Sequence, residues 1–241
     1  MFNSFGKLNR PIKIILKQFK QILLTGIWMF AFVPALFAQS GKEHKASLKT
    51  RKVKFASAQK NLITSQQLKN FLQLVADANA TFSFPKGFKE IKAPNNEDVS
   101  FDYAMEMPGK DFELWLQVRS QKENWAAYEK TLNDKANQQA NPDSLYYEIG
   151  KAQALAFSGD NAPLERVLPA SIADRYNADA GRSFMINLPD EKITKHYRYA
   201  LLITLQKFHT GTIMAVCFSN QKGPEFFRNI VGASNCIKFK P

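Results

Sequence analysis

Histidine occurs only three times in this chain of 241 residues and cysteine only twice. That scarcity removes most of the familiar chemistries. No H-E-x-x-H, C-x-x-C, G-x-S-x-G, Walker or G-x-G-x-x-G spacing is present. Zinc hydrolysis, dithiol exchange, the hydrolase elbow and phosphate-cradling loops therefore all lack their signatures. A dyad of Cys217 with His209 has no third group to orient it. Cys217 also sits inside the apolar run IMAVCF, where a thiol serves as inert filling. His196 and His209 would need a carboxylate such as Asp190 or Glu191 to hold a metal, and two exposed strand-end histidines explain the same residues. No catalytic residue, metal ligand or cofactor site is read from the sequence.

Acidic residues are missing from one region. Residues 1–60 hold twelve Lys and Arg against a single acid, Glu43, whereas residues 61–241 hold 21 basic and 20 acidic residues. The formal net charge of +12 thus belongs almost wholly to the first quarter of the chain. A nucleic-acid-binding domain carries its positive footprint on the folded part, so this distribution argues against nucleic acid as a partner.

Charge of either sign is absent from Ile22 to Ala38, after the basic positions Lys7, Arg10, Lys13, Lys17 and Lys20. As a helix these 17 residues would reach about 25 Å, short of the roughly 30 Å hydrocarbon core of a bilayer. Pro34 would break that helix near its far end. A basic region, an apolar run and small residues make a secretory signal peptide. The best cut follows Ala38 and leaves Gln39 as the new terminus, although Leu36 occupies the −3 position where a small residue is usual. Ala35 is the second candidate, and an uncleaved anchor the alternative. Either way the basic flank stays in the cytoplasm and the rest is exported, to periplasm, cell envelope or medium. No cysteine follows the apolar run to take a lipid anchor. The expected organisation is a signal peptide over 1–38, a basic flexible tail over 39–60 and one domain over 61–241, with no membrane span once the signal is removed. The tail can adhere to an anionic surface, but a solvated terminus explains it as well.

The domain is rich in what a core needs: the chain holds 20 Phe, and 45% of its residues are hydrophobic. Thr64-Ser65 caps a helix to about Ala78, with Leu68, Phe71, Leu72 and Val75 on one stripe. Val99 to Arg119 reads as a half-buried hairpin around Pro108-Gly109. Phe101, Tyr103, Met105, Phe112, Leu114 and Leu116 lie on its core face, and Glu113, Trp115, Gln117 and Arg119 on its solvated face. Two helices follow: one over 124–136 with Trp125, Tyr128 and Leu132 inward, the other opened by Asn141-Pro142 and closed by Ser158-Gly159, with Leu145, Ile149, Ala152 and Ala156 on one face. Gly150 costs that second helix about 1 kcal/mol against Ala, which marks a close approach. Residues 164–179 read as irregular. Strands are expected over 182–188, 196–208 and 212–218, the last two forming a central hairpin covered on both sides, then a helix after Gly223-Pro224 and a closing strand over 235–239. Strands that come as hairpins make the class α+β, with a mainly antiparallel sheet covered by helices.

The order of these elements and the F-x-F-P-x-G-F run from Phe82 to Phe88 resemble the Mog1/PsbP-like group and bacterial secreted proteins with the same opening. The likeness covers about residues 80–240 and rests on core alternation and turn residues. It implies a non-enzymatic scaffold that binds or assembles partners, and no functional residue carries over from it.

One loop stands out as a ligand or partner site. ADRYNADAGR gathers Asp174, Tyr176, Asn177, Asp179 and Arg182 within ten residues. An Asx-turn, with Asn177 and Asp179 satisfying the backbone and Gly181 at positive φ, explains the same composition. Cys217 and Cys236 either close a disulfide loop of about 20 residues, worth roughly 3 kcal/mol, or remain buried thiols. The functional expectation is an exported, non-catalytic binding or assembly module whose partner is a protein or envelope component. A periplasmic hydrolase with a dispersed site is the alternative.

Overall fold

Alternating apolar residues and tight turns build the sheet strand by strand. The computed structural model describes residues 65–96, 99–132, 139–159 and 161–241. The expected cleavage point between Ala38 and Gln39 and the basic stretch 39–60 lie outside them. The strands of the main sheet are β2 (Lys89–Ile91), β3 (Tyr103–Glu106), β4 (Glu113–Ser120), β5 (Leu164–Val167), β6 (Ala180–Asn187), β7 (Tyr199–Lys207) and β8 (Gly211–Ser219). Their spatial order is β2-β3-β4-β8-β7-β6-β5, and every neighbouring pair is antiparallel. β1 (Ala80–Phe82) and β9 (Ile237–Phe239) form a separate two-stranded ribbon. Among the described residues five helices accompany them: α1 (Gln66–Asp77), α2 (Lys122–Thr131), α3 (Leu145–Ser158), α4 (Ala170–Ala173) and α5 (Pro224–Ala233). The fold is α+β with a mainly antiparallel sheet, as the hairpin pattern implied.

Each face of the sheet supports its own core. On one face, α1 and α5 cover Tyr103, Leu114, Leu116 and Ile213, with Phe71 stacked on Tyr103 at 4.8 Å between ring centroids and Phe226 reaching Phe112 at 6.1 Å. On the other face, α3 lays Ala154 and Phe157 over Trp115, Phe184, Leu202 and Phe218. The face of the β3–β4 hairpin expected in solvent is therefore buried at Glu113 and Trp115. The reason is topological. The chain crosses from β4 to the far edge of the sheet through α2 and α3, and α3 covers the side that a free hairpin would leave wet.

Ser65 caps α1 by accepting from Leu68 N, as the sequence implied. Asn141 likewise caps the 3₁₀ turn Pro142–Ser144 that leads into α3. Gly150 is a close approach: a Cβ there would stand 2.5 Å from Thr204 Cγ2. Other expectations fail for physical reasons. The buried face of α3 is Gly150, Ala154, Phe157 and Ser158, leaving Ala152 and Ala156 exposed. α2 buries no residue fully, and Leu132 faces solvent. Residues 164–167 form an edge strand; Leu164 and Val167 are exposed there, so no alternation announced it. Within the central hairpin, β8 is covered on both sides, but Leu201 and Ile203 of β7 are only half-buried.

Candidate functional site

At one end of the sheet, β6 closes with Asn187, β7 opens with Tyr199 and β8 closes with Ser219. The chain between β6 and β7 turns at Pro189-Asp190 and passes through the 3₁₀ turn Lys192–Thr194. Two consecutive residues then adopt left-handed backbone: Lys195 at φ 52 and His196 at φ 62. Neither is glycine, so each costs on the order of 1–2 kcal/mol and persists only where neighbours over-determine it. The neighbours are visible. His196 N donates to Glu191 O at 3.0 Å, Tyr197 N to Thr194 O at 3.1 Å and Leu188 N to Arg198 O at 2.9 Å.

The strongest restraint comes from β4. Glu113 is 2% exposed, and a carboxylate so buried must have its charge matched. Trp115 Nε1 donates to it at 2.5 Å, Lys195 Nζ at 2.6 Å and Tyr197 OH at 3.3 Å. One buried acid thereby fixes both residues that flank His196. Burial, then the adjacent Glu113 charge, push the Tyr197 hydroxyl well above the ordinary tyrosine value, so it stays a donor.

The strand ends and this loop enclose an open cavity of about 800 Å³, lined by Asn187, Leu188, Asp190, His196, Tyr197, Arg198, Tyr199 and Asn220. His196 Nδ1–H donates to Asp190 Oδ1 at 2.6 Å, which leaves Nε2 directed elsewhere. Asn220 Nδ2 donates to Asp111 Oδ1 at 2.9 Å. The Arg198 guanidinium, the Asn187 amide and the Tyr199 hydroxyl have no side-chain partner among the described residues. The cavity therefore presents a guanidinium, an amide and a hydroxyl that the protein itself does not pair.

The residues singled out in the sequence lie elsewhere and act as fasteners. Asn177 Nδ2 donates to Phe239 O at 2.7 Å, tying the loop to β9. Asp179 accepts from Phe208 N at 2.7 Å and Lys207 Nζ at 3.2 Å. Arg182 pairs with Glu165 across β5 and β6 and lies 4.3 Å from the Tyr147 ring centroid. Tyr176 lines a small apolar cavity beneath α5, while Asp174 is exposed. The five side chains do not converge on one point. The positive φ belongs to Asn177, not to Gly181. Gly181 is needed for space, since a Cβ there would meet Leu168 Cδ1 at 2.7 Å. Cys217 and Cys236 are not bonded to one another. Both are buried free thiols that line the apolar cavity. Burial pushes both upward, Cys236 to about 12, which keeps them protonated and unreactive.

His209 lies beyond the opposite end of β7 from His196, a separation of about 30 Å at strand rise, so the two cannot share a metal. It packs on Trp125 with ring centroids 3.9 Å apart. Cys217 is likewise about 20 Å from His209 along β8. Among the described residues no group of three His, Cys, Asp or Glu could hold a metal ion, and no helix is long and apolar enough to cross a membrane.

Sequence reading passed over Asn187, Arg198, Tyr199 and Asn220 because each looked like an ordinary strand-end residue. The usable signal was the crowding of polar residues at both ends of the Pro189-Asp190 turn. No known protein family and no curated protein matches this chain in sequence.

Proposed function

We propose that this chain is an exported, non-catalytic binding module of the cell envelope, and that the cavity between the ends of β6, β7 and β8 is its ligand site. The observation that carries the reading is that the unpartnered side chains of Asn187, Arg198 and Tyr199 line one cavity beside a loop held in strained backbone and tied to a buried acid. Strained non-glycine backbone clusters at active sites and ligand clamps. Pockets with a few convergent polar groups are the default binding sites of folded domains. Export is supported by the basic and apolar pattern of residues 1–38. The likeness of element order to the Mog1/PsbP-like group supports a scaffold that binds rather than transforms.

The His196–Asp190 pair favours a second reading, a periplasmic hydrolase, since a carboxylate-oriented imidazole is half of a general-base arrangement. Against it, the lining residues include no serine, threonine or cysteine to serve as a nucleophile. The binding reading is tested by placing a photo-crosslinking residue at Tyr199 and at Leu72, an exposed position on α1. Position 199 is expected to yield an adduct in envelope extract and position 72 none. Equal labelling at both, or none at either, removes the cavity as the binding site.

A further inference from the structure

We infer that the cavity recognises an oxyanion, a carboxylate or phosphate group on a small molecule, with Arg198 as its principal contact; this rests on the cavity being a ligand site. The reasoning begins with what a ligand must supply. Arg198 offers five N–H donors in a planar fork and no acceptor. Among the described residues its guanidinium has neither an ion-pair nor a hydrogen-bond partner. Planar bidentate recognition of carboxylate and phosphate is what this side chain does best. The backbone of Arg198 is fixed by the 2.9 Å bond from Leu188 N to its carbonyl, so its stem leaves the sheet from a defined point. Asn187 and Tyr199, cross-strand partners at the end of β6 and β7, add an amide and a hydroxyl that are also free to donate.

One lining carboxylate and one neighbour bring negative charge to the cavity, and each accepts from a donor of the protein's own. Asp190, the single carboxylate among the lining residues, is held by the His196 ring at 2.6 Å. The neighbouring Asp111 is held by Asn220 N at 2.5 Å, Asn220 Nδ2 at 2.9 Å and Ser219 Oγ at 3.0 Å. Of the unpaired groups the Arg198 guanidinium can only donate, whereas the Asn187 amide and the Tyr199 hydroxyl can donate as well as accept, so a ligand that brings acceptors and a negative charge matches the arginine and can engage all three. A neutral polyol would leave the guanidinium charge unmatched.

The experiment titrates the purified full-length chain with inorganic phosphate and, separately, with acetate, following saturable binding by calorimetry and amide shifts by NMR. The variants are Arg198→Gln, Arg198→Lys and the control Arg228→Gln, an exposed arginine on α5. Both positions are at the surface, so folding is expected to be preserved, and unchanged amide spectra away from the cavity verify it. The expected result is saturable binding of at least one probe with shifts at residues 187–199. The affinity should fall about tenfold or more in Arg198→Gln, recover in part in Arg198→Lys and hold in Arg228→Gln. Preference for phosphate or for acetate assigns the ligand's group, and either preference supports the inference. Equal losses in the two Gln variants mean a diffuse charge effect and overturn it, as does saturable binding of neither probe. Crosslinking at position 199 with no anion binding would leave the cavity as a site for a neutral ligand and sink only the oxyanion assignment.

Discussion

Lys195 Nζ reaches Glu113 at 2.6 Å across 82 residues of sequence. This contact ties the first residue of β4 to the loop that carries His196 and Arg198. Lys195 is half exposed and Glu113 almost wholly buried, so the two partners are not equivalent. Removing the lysine leaves a buried charge with two remaining donors.

Breaking this pair should therefore cost more from one side than from the other. Glu113→Gln keeps an acceptor for Trp115 and is the milder change. Lys195→Ala strands the carboxylate and should destabilise by about 2–4 kcal/mol. In the double variant part of that loss returns, giving a coupling of about 1–3 kcal/mol. Urea unfolding of the four proteins measures it, and strict additivity would show that the pair does not act as one unit.

Relieving the strained backbone should stabilise the fold and damage the site. His196→Gly removes a left-handed non-glycine residue, a gain of about 1 kcal/mol, against an exposed pair with Asp190 worth little. The midpoint of thermal unfolding is expected to rise by a few degrees while crosslinking through position 199 falls. A drop in both would mean that His196 supports the structure rather than the site.

Alkaline pH should weaken the fold through its buried hydroxyls and thiols. The hydroxyls of Tyr103 and Tyr197 and the thiols of Cys217 and Cys236 are all pushed up, chiefly by burial. An acid whose folded value is raised stabilises fully below its unfolded value, near 8.5–10, and that stability is lost as pH rises toward the folded value. Stability should hold to about pH 8.5 and fall steadily toward pH 12, with Cys217→Ala and Cys236→Ala flattening the early part of the decline. A thiol reagent at pH 8 should label both cysteines only after unfolding. Rapid labelling of the native protein would contradict their burial.

Gly150→Ala should destabilise despite the better helix propensity of alanine. Propensity offers about 1 kcal/mol, but the new methyl would meet Thr204 Cγ2 at 2.5 Å, and overpacking costs about 1–3 kcal/mol. Adding Thr204→Ser deletes that methyl and should restore most of the loss. A stable single variant would mean that α3 can shift away from the sheet.

Export as proposed predicts a mature chain that begins at Gln39, which intact-mass measurement decides. A retained Met1 would establish an uncleaved anchor.

Much of the architecture was legible because periodicity reports it. The alternation of Tyr199, Leu201, Ile203 and Leu205, the capping residues Ser65 and Asn141 and the crowding at Gly150 are local facts that survive folding. The burial of Trp115 was not legible: a strand's second face is covered only if the chain returns to it, and α3 does so from some 40 residues away. The site was harder still. Asn187, Arg198 and Asn220 come together only through the β6–β7–β8 register, and each looks like a turn residue by itself. The loop 173–182 drew notice because its polar residues are dense in sequence, yet dense polar residues are also what fastening a loop requires.

The most direct measurement compares native mass spectra of the wild-type protein and an Asn187→Ala/Tyr199→Phe variant after exposure to envelope extract and desalting. A ligand site in the cavity predicts a discrete added mass on the wild type that is absent or strongly reduced on the variant. The same added mass on both proteins, or no added mass on the wild type, would contradict it.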